Sequence, residues 1–284
     1  MFFYIDMKKI FSDKKILILG ATGLIGGALM DRLQSLNADV SGTTSKKKKE
    51  ADNYLELDVL NLESVNKFPW ERYNIIVDCI GNIDYQNTLS VLQKNILINT
   101  RAPLKILARL SARQKYFYCS SYVVLLSENQ HNSYSLSKLF LERSISLVPN
   151  IKPSVTILRI PGVFSEQRKN GLIYLIKQHF YEKKKLELDF TANKWHIIYL
   201  PRLAEIIVNL LIRDCPEKVN LGYATEISIE KIISIAKNLF GYSIPINFKQ
   251  KSSDHFVPDL STQSRYLNIT ERDFKLDLIK YFKS

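Results

Sequence analysis

The chain has 284 residues, 46% hydrophobic and 24% charged, so it can bury a sizeable core in one domain or in two unequal ones. No apolar run approaches the ~18 residues of a membrane span, and residues 1–11 lack the long apolar region of a signal peptide. The net charge of +12 comes from lysines spread along the chain, which indicates a charged surface and no nucleic-acid partner.

The three cysteines, Cys79, Cys119 and Cys215, are widely spaced. Cys79 and Cys119 lie in apolar, strand-like runs, which predicts buried free thiols, and no metal-type spacing is present. We therefore expect no metal site and a cytoplasmic location, where thiols stay reduced.

The first predicted unit begins with a buried strand over residues 16–19 and continues into a helix over 24–36. At their junction Gly20, Gly23 and Gly26, the last within the first turn of the helix, predict a tight turn that lets the backbone approach a pyrophosphate closely. Strand, glycine turn and helix form the first unit of a dinucleotide-binding fold, although the spacing G-x-x-G-x-x-G differs from the commoner G-x-G-x-x-G.

Strands and helices alternate along the following residues. We predict strands over 38–44, 54–57, 75–80, 116–119 and 155–158, and helices over 62–68, 87–109 and 134–147. This rhythm predicts an α/β fold of the Rossmann type, a doubly wound parallel sheet with helices on both faces.

The alternation loosens after Pro161. Helices are predicted over 172–181, 201–212, 229–240 and 268–282, with short strands after 185, over 196–200 and over 219–221. We expect residues 1–160 to form the cofactor-binding domain, which a strand and helix of about 195–222 rejoin. Residues 161–194 and 223–284 are expected to form a smaller, interwoven substrate-binding lobe.

A candidate catalytic group follows the fifth strand: Ser120-Ser121, then Tyr134 and Lys138. Tyr134 and Lys138 are four residues apart on a predicted helix and so share a face. A neighbouring ammonium is expected to lower the pKa of the Tyr134 hydroxyl, which makes it a proton donor or acceptor near neutral pH. A serine at the end of the preceding strand can hydrogen-bond the same substrate oxygen.

These motifs, in this order, resemble the extended short-chain dehydrogenase/reductases of the NAD-dependent epimerase/dehydratase type. Other segments fit the same pattern, namely Asp58-Val59, Ile75 to Gly81, Asn95 with Thr100, 158–164, 198–207 and 219–230. The resemblance implies that Ser121, Tyr134 and Lys138 are catalytic, with Lys138 also holding the nicotinamide ribose. The cofactor-binding residues expected from the glycine turn and the resemblance are Gly20, Thr22, Gly23, Leu24, Ile25, Gly26, Asp58, Val59, Ile80, Gly81, Tyr134, Lys138, Pro161 and Val163.

The end of the second strand indicates which nicotinamide cofactor is bound. NAD enzymes usually carry an acid there that grips the adenine ribose, but this chain has Thr44, Ser45 and Lys46, and Asp39 comes too early. Hydroxyls followed by lysines suit a 2′-phosphate. We therefore expect a preference for NADP(H), with NAD as the alternative if these lysines form only a solvated loop.

The family's dehydratases carry an Asp-Glu pair after the catalytic hydroxyl residue, where this chain has Tyr122 and Val123. Its double epimerases carry a cysteine at the position of Tyr122. The resemblance therefore favours an NADPH-dependent reductase of a keto group on a nucleotide sugar of the 4-keto-6-deoxy-hexose type. The alternatives are an NAD-dependent nucleotide-sugar epimerase, another carbonyl reductase such as a hydroxysteroid or flavonoid type, or a non-catalytic dinucleotide-binding regulator or scaffold.

The expected substrate-binding residues are Ser121, Tyr122, Asn170 and Arg265, although Asn170 and Arg265 fit exposed surface residues better than substrate contacts. The two long helices, over 87–109 and 134–147, could pair across a homodimer. Only 12 residues separate Ser121 from Tyr134, which predicts a short loop over the site.

Overall fold

The computed structural model describes residues 11–45, 53–126, 131–148, 151–188, 191–192, 196–225, 227–248, 251–252 and 258–284. The chain forms two compact units. Residues 1–159 and 207–219 belong to the first unit, and residues 160–206 and 220–284 belong to the second. That the second unit is the substrate-binding lobe stays a prediction.

The strands are numbered β1 to β13 in chain order. They are β1 Lys15–Leu19, β2 Asp39–Thr44, β3 Tyr54–Glu56, β4 Ile75–Asp78, β5 Lys115–Ser121, β6 Ser154–Ile160, β7 Gly162–Phe164, β8 Leu186–Leu188, β9 Thr191–Ala192, β10 Ile197–Tyr199, β11 Lys218–Asn220, β12 Ile246–Phe248 and β13 Lys251–Ser252.

The α-helices are numbered in the same way. They are α1 Leu24–Ser35, α2 Leu62–Lys67, α3 Leu89–Ile96, α4 Ala102–Leu107, α5 Ser133–Leu147, α6 Leu172–Glu182, α7 Leu200–Leu211, α8 Ile229–Phe240, α9 Ser261–Tyr266 and α10 Glu271–Lys283. In the described part of the chain no helix is both long and apolar enough to cross a membrane.

The main sheet has seven strands in the order β11-β6-β5-β4-β1-β2-β3. β1 pairs in parallel with both β2 and β4, and the pairs β2–β3 and β4–β5 are also parallel. The strand order reverses between β1 and β4, and in open sheets of this kind ligands bind at such a switch point. The predicted doubly wound parallel sheet of the Rossmann type is confirmed.

The register of the sheet brings the ends of three strands to one edge. Leu19 of β1 pairs with Asp78 of β4, and Asp78 pairs in turn with Tyr118 of β5. The residues that follow these positions, among them Gly20, Ile80 and Ser121, therefore come to the same carboxyl edge of the sheet.

The helix expected over 87–109 is interrupted. α3 ends at Ile96, a wider π-type turn covers Leu97–Arg101, and α4 begins at Ala102. Pro103 has no N–H to donate to the carbonyl of Asn99 four residues earlier. The hydroxyl of Tyr118 donates to that carbonyl instead, at 2.8 Å, so the bulge is stabilised from the sheet side.

The second unit contains three parallel two-stranded pairs, β10–β7, β12–β8 and β13–β9. Its helices bury apolar side chains such as Ile176, Phe180 and Phe274. Within this unit the Arg202 guanidinium donates to both oxygens of Asp277, at 2.9 and 3.2 Å, and the Tyr223 hydroxyl donates to the same carboxylate.

Candidate active site

The glycine turn after β1 has a backbone geometry that favours glycine. Gly20 has φ of +72°, in the left-handed region, and its N–H donates to the Thr43 hydroxyl. The N–H of Gly23 donates to the Gly20 carbonyl at 2.9 Å. A Cβ on Gly26 would lie 2.3 Å from the same carbonyl oxygen, so only glycine fits there.

The turn leaves the N-terminal end of α1 open to an anion. Gly23 is the N-cap, no side chain caps the helix, and its first turn holds no acidic residue. The N–H groups of Leu24, Ile25 and Gly26 belong to this first turn, where helical N–H groups have no partner within the helix. A pyrophosphate would be bound by these N–H groups and by the helix dipole.

The residues expected around the adenosine lie at several strand ends. Thr44 ends β2 and Ser45 follows it exposed, whereas Asp39 pairs with Lys15 at the opposite end of the strand. The expected contact from Lys46 lies outside the described residues. Asp58 is exposed and accepts from the N–H of Leu60; Thr22 is also exposed, and Val59 is buried.

The structure brings together the three residues expected to be catalytic. Ser121 is the last residue of β5, and its hydroxyl is hydrogen-bonded to that of Tyr134 in the first turn of α5. Lys138, one turn later, is only 3% exposed, and its Nζ donates to the Cys119 carbonyl at 2.9 Å. A Cβ on Gly81 would lie 3.6 Å from that Nζ.

The expected lowering of the Tyr134 pKa is wrong for this structure. Burial raises the pKa of Tyr134, and the neighbouring Tyr85 raises it further, while the hydrogen bond with Ser121 lowers it. The Lys138 ammonium is directed to the Cys119 carbonyl and lies 4.3 Å from the ring centroid of Tyr118. Tyr134 is therefore a protonated phenol near neutral pH.

The start of α5 is fixed by polar contacts that the sequence analysis missed. Asn132 and Ser135 form a capping box. The hydroxyl of Ser133 donates to the Gln86 carbonyl at 2.6 Å. These bonds hold Tyr134 at the carboxyl edge of the sheet.

Tyr85 is a second aromatic residue at the site that the sequence analysis missed. Its ring meets that of Tyr134 edge-on at 5.4 Å, although Tyr85 is 56% exposed. The adjacent Asp84 carbonyl accepts from the side chain of Asn95, which is fully buried. Because Tyr85 lies in an irregular segment between β4 and α3, neither periodicity nor spacing could have identified it.

A buried ion pair lies on the same helix face as the catalytic residues. Glu142 is one turn beyond Lys138 and is paired with Arg159. The Nη2 and Nε groups of Arg159 both donate to Oε2 of Glu142, at 2.6 and 3.1 Å. The Ser120 hydroxyl donates to the other carboxylate oxygen of Glu142 at 2.6 Å. Ser120 therefore faces this ion pair, while Ser121 faces Tyr134.

The remaining expected residues are placed as follows. Tyr122 is 5% exposed, in a short 3₁₀ turn after β5. In the second unit Pro161 is buried and Val163 is half-buried. Asn170 and Arg265 are both exposed, and Asn170 accepts from the Arg168 side chain at 2.7 Å. The substrate contacts expected from these residues stay predictions.

The Sγ atoms of the free cysteines Cys79 and Cys119 lie 3.6 Å apart. Cys119 is buried, as predicted, whereas Cys79, just after the end of β4, is only half-buried. Among the described residues no group of three or more histidines, cysteines or carboxylates could hold a metal ion.

The parallel sheet, the glycine turn at its switch point and the Ser–Tyr–Lys cluster at the same edge define a dinucleotide-binding α/β protein. A model of the NAD dependent epimerase/dehydratase family matches residues 16–222, and the chain belongs to this family. The resemblance drawn from the sequence motifs is thus confirmed. No curated protein matches the chain.

Solved structures share the fold at low sequence identity. ADP-L-glycero-D-manno-heptose-6-epimerase from Helicobacter pylori is 17% identical with a TM-score of 0.74, over 97% of this chain and 98% of its own. UDP-glucuronic acid 4-epimerase from Bacillus cereus, in complex with NAD, is 20% identical with a TM-score of 0.71, over 95% and 96%. RMD from Pseudomonas aeruginosa, complexed with NADPH, is 14% identical with a TM-score of 0.74, over 95% and 99%.

Proposed function

We propose that the protein is an NADPH-dependent reductase that acts on a keto group of a nucleotide sugar, of the 4-keto-6-deoxy-hexose type. The observation that carries this proposal is the cluster of Ser121, Tyr134 and Lys138 beside the glycine turn. Family membership supports NAD(P) chemistry on a nucleotide sugar, because related structures hold UDP-glucose with NAD, or NADPH.

The protonated hydroxyl of Tyr134 can serve as the acid of a reduction. When bound, the nicotinamide cofactor supplies a hydride to the ketone carbon. The hydroxyls of Ser121 and Tyr134 hydrogen-bond the ketone oxygen, and Tyr134 gives its proton to the oxygen as negative charge develops there. A phenol whose pKa is raised by burial remains protonated and can act as this acid.

The residues at the switch point suit a dinucleotide. Gly20, Gly23 and Gly26 form a tightly packed turn that only small residues allow, and the open end of α1 provides N–H groups for a pyrophosphate. Lys138 would hold the nicotinamide ribose, and Gly81 leaves space beside its Nζ. β2 ends without an acid, which supports NADP(H) over NAD.

The cofactor preference is tested by isothermal titration calorimetry. NADPH and NADH are each titrated into the wild type and into Lys46→Ala, and the dissociation constants are compared. Lys67→Ala, a substitution of an exposed lysine on α2, is the matched control. We expect NADPH to bind more tightly than NADH and to lose about tenfold in affinity in Lys46→Ala alone, which is about 1.4 kcal/mol. Equal binding of the two cofactors, or tighter binding of NADH, would contradict the preference.

The reaction is tested by screening 4-keto-6-deoxy nucleotide sugars for NADPH oxidation. In Tyr134→Phe we expect kcat to fall by about 10²–10⁴-fold, because the proton donor is lost. NADPH affinity should stay within about twofold, since the phenol ring is kept. A variant that retains full turnover would exclude Tyr134 as the acid.

The second candidate is an NAD-dependent nucleotide-sugar epimerase, which the likeness to the Helicobacter pylori and Bacillus cereus epimerases favours. Such an enzyme would retain NAD through purification and release it on denaturation, which absorbance of the supernatant detects. A protein that binds the cofactor but turns over no keto or hydroxy sugar would be a regulator or scaffold. The presence of both Tyr134 and Lys138 argues against that reading.

A further inference from the structure

A buried carboxylate lies on the strand next to the tyrosine ring that the candidate catalytic lysine contacts, and it has no part in the function proposed above. Asp78 is the last residue of β4 and is 0% exposed. It pairs in register with Tyr118 of β5, and Tyr116 lies two residues earlier on that strand. Because side chains alternate along strands, Asp78, Tyr116 and Tyr118 share one face of the sheet. Lys138 of α5 meets the ring of Tyr118 on this same face.

Asp78 is bonded as an ionised carboxylate would be. The Tyr116 hydroxyl donates to its Oδ2 at 2.5 Å, and the N–H of Ile80 donates to its Oδ1 at 2.9 Å. Both carboxylate oxygens therefore receive a hydrogen bond, which favours the charged form. Burial raises the pKa of Asp78, and these two donors and the Lys138 ammonium act in the opposite direction.

A buried ammonium such as that of Lys138 is stabilised by a negative charge nearby, because it has lost its contact with water. Its contacts with the Cys119 carbonyl and the Tyr118 ring supply only partial charges. The ionisable groups facing it are Asp78 and Cys79 from β4, Cys119 from β5 and Glu142 along α5. Glu142 is already paired with Arg159, which leaves Asp78 as the other carboxylate among these groups.

We propose that Asp78 is a positioning residue of the reductase, whose buried carboxylate is the counter-ion that keeps the Lys138 ammonium charged. The inference rests on the proposed function of Lys138, which is to hold the nicotinamide ribose, since a charged ammonium is a stronger hydrogen-bond donor than a neutral amine. Burial lowers the pKa of Lys138, and Asp78 gives the largest opposing effect. Each charge thus stabilises the other in a region that water does not reach.

The test measures the protonation of Lys138 directly and needs no substrate. The chain is labelled with ¹⁵N-lysine, the Lys138 signal is assigned from its loss in Lys138→Arg, and the Nζ shift is followed with pH. In the wild type we expect an ammonium at neutral pH. In Asp78→Asn, which keeps an oxygen for the Ile80 N–H, the titration midpoint should fall by at least one pH unit, a factor of about ten.

Tyr116→Phe is the matched control, because it removes one hydrogen bond from Asp78 and leaves the carboxylate in place. Its midpoint should lie between those of the wild type and Asp78→Asn. A merely structural role of Asp78 would change the melting temperature and leave the midpoint where it was. Equal midpoints in the wild type and Asp78→Asn would overturn the proposal.

A measurement on the wild type alone keeps the proposal testable if Asp78→Asn fails to fold. A neutral Lys138 amine, or a protonated Asp78 carboxyl seen by ¹³C shift, at neutral pH would also overturn it. Because no turnover is measured, a negative result here is distinct from failure of the reductase assignment. That assignment fails only in the sugar-nucleotide assay.

Discussion

Gly26 and Gly27 are adjacent in α1, but the space around them differs. A Cβ on Gly26 would lie 2.3 Å from the Gly20 carbonyl oxygen, whereas a Cβ on Gly27 would lie 3.6 Å from that of Ala21. We expect Gly26→Ala to lower the free energy of unfolding by about 1–3 kcal/mol through overpacking. Gly27→Ala should be neutral or stabilising by up to about 1 kcal/mol, because alanine favours the helix.

Urea unfolding of the two variants with and without NADPH tests this difference. Gly26→Ala should also weaken NADPH binding, since a displaced glycine turn changes the backbone that would face the pyrophosphate. If both alanine variants unfold at the same urea concentration, the close approach at Gly26 is not a constraint on this turn.

At the residue scale, the sequence could predict the positions of Ser121, Tyr134 and Lys138 but not their chemistry. A serine that ends a strand and a Tyr-Lys pair at helical spacing are local patterns. The raised pKa of Tyr134 and the charge environment of Lys138 depend on burial and on Asp78, which lies 60 residues before Lys138. Such effects arise only when distant elements pack together.

At the scale of elements, the cap of α5 controls the placement of Tyr134. The Asn132 side chain accepts from the N–H of Ser135 at 3.0 Å. We expect Asn132→Ala to cost about 1 kcal/mol of stability, because a first-turn N–H loses its partner. Thermal unfolding measures this cost, and Asn132→Asp, which retains an oxygen at the cap, is the control. A melting temperature that drops equally in both variants would contradict a capping role.

The sequence did not predict the break in the helix over 87–109 or the helix α9, and each has its own physical cause. Apolar periodicity indicated one helix over 87–109, since a π-type turn adds one residue without removing the apolar face. Pro103 was the available signal for the break. α9 was missed because Ser261–Tyr266 is short and mostly polar, and its buried residue is Gln263. Gln263 exchanges two hydrogen bonds with the backbone of Gly222, a contact between distant segments.

At the scale of the whole molecule, buried tyrosines should make stability depend on alkaline pH. Burial raises the pKa of Tyr116, Tyr118, Tyr134 and Tyr223 above the usual 10.0, and that of Tyr281 to about 12. Above pH 10 the unfolded chain loses these protons while the folded chain keeps them. The stabilisation is therefore complete below pH 10 and is lost as the pH rises through the folded-state values.

Urea unfolding midpoints measured from about pH 8 to about pH 11 check this dependence. The urea midpoint should fall once the pH exceeds the pKa of tyrosine in the unfolded chain. Tyr116→Phe should show a shallower fall, because it removes one of the buried phenols. A midpoint that stays constant over the range would show that these phenols ionise equally in both states.

The edge strand β11 affects how the nascent chain folds. The N–H of Ile157 in β6 donates to the carbonyl of Glu217, just before β11, and residues 207–219 belong to the first unit. During synthesis the whole of 160–206 must leave the ribosome before this edge of the sheet can be closed. Until then β6 presents unpaired backbone groups to other chains, as edge strands do. The growing polypeptide therefore passes through a stage at which chaperones or neighbouring strands can compete for the edge that β11 will occupy.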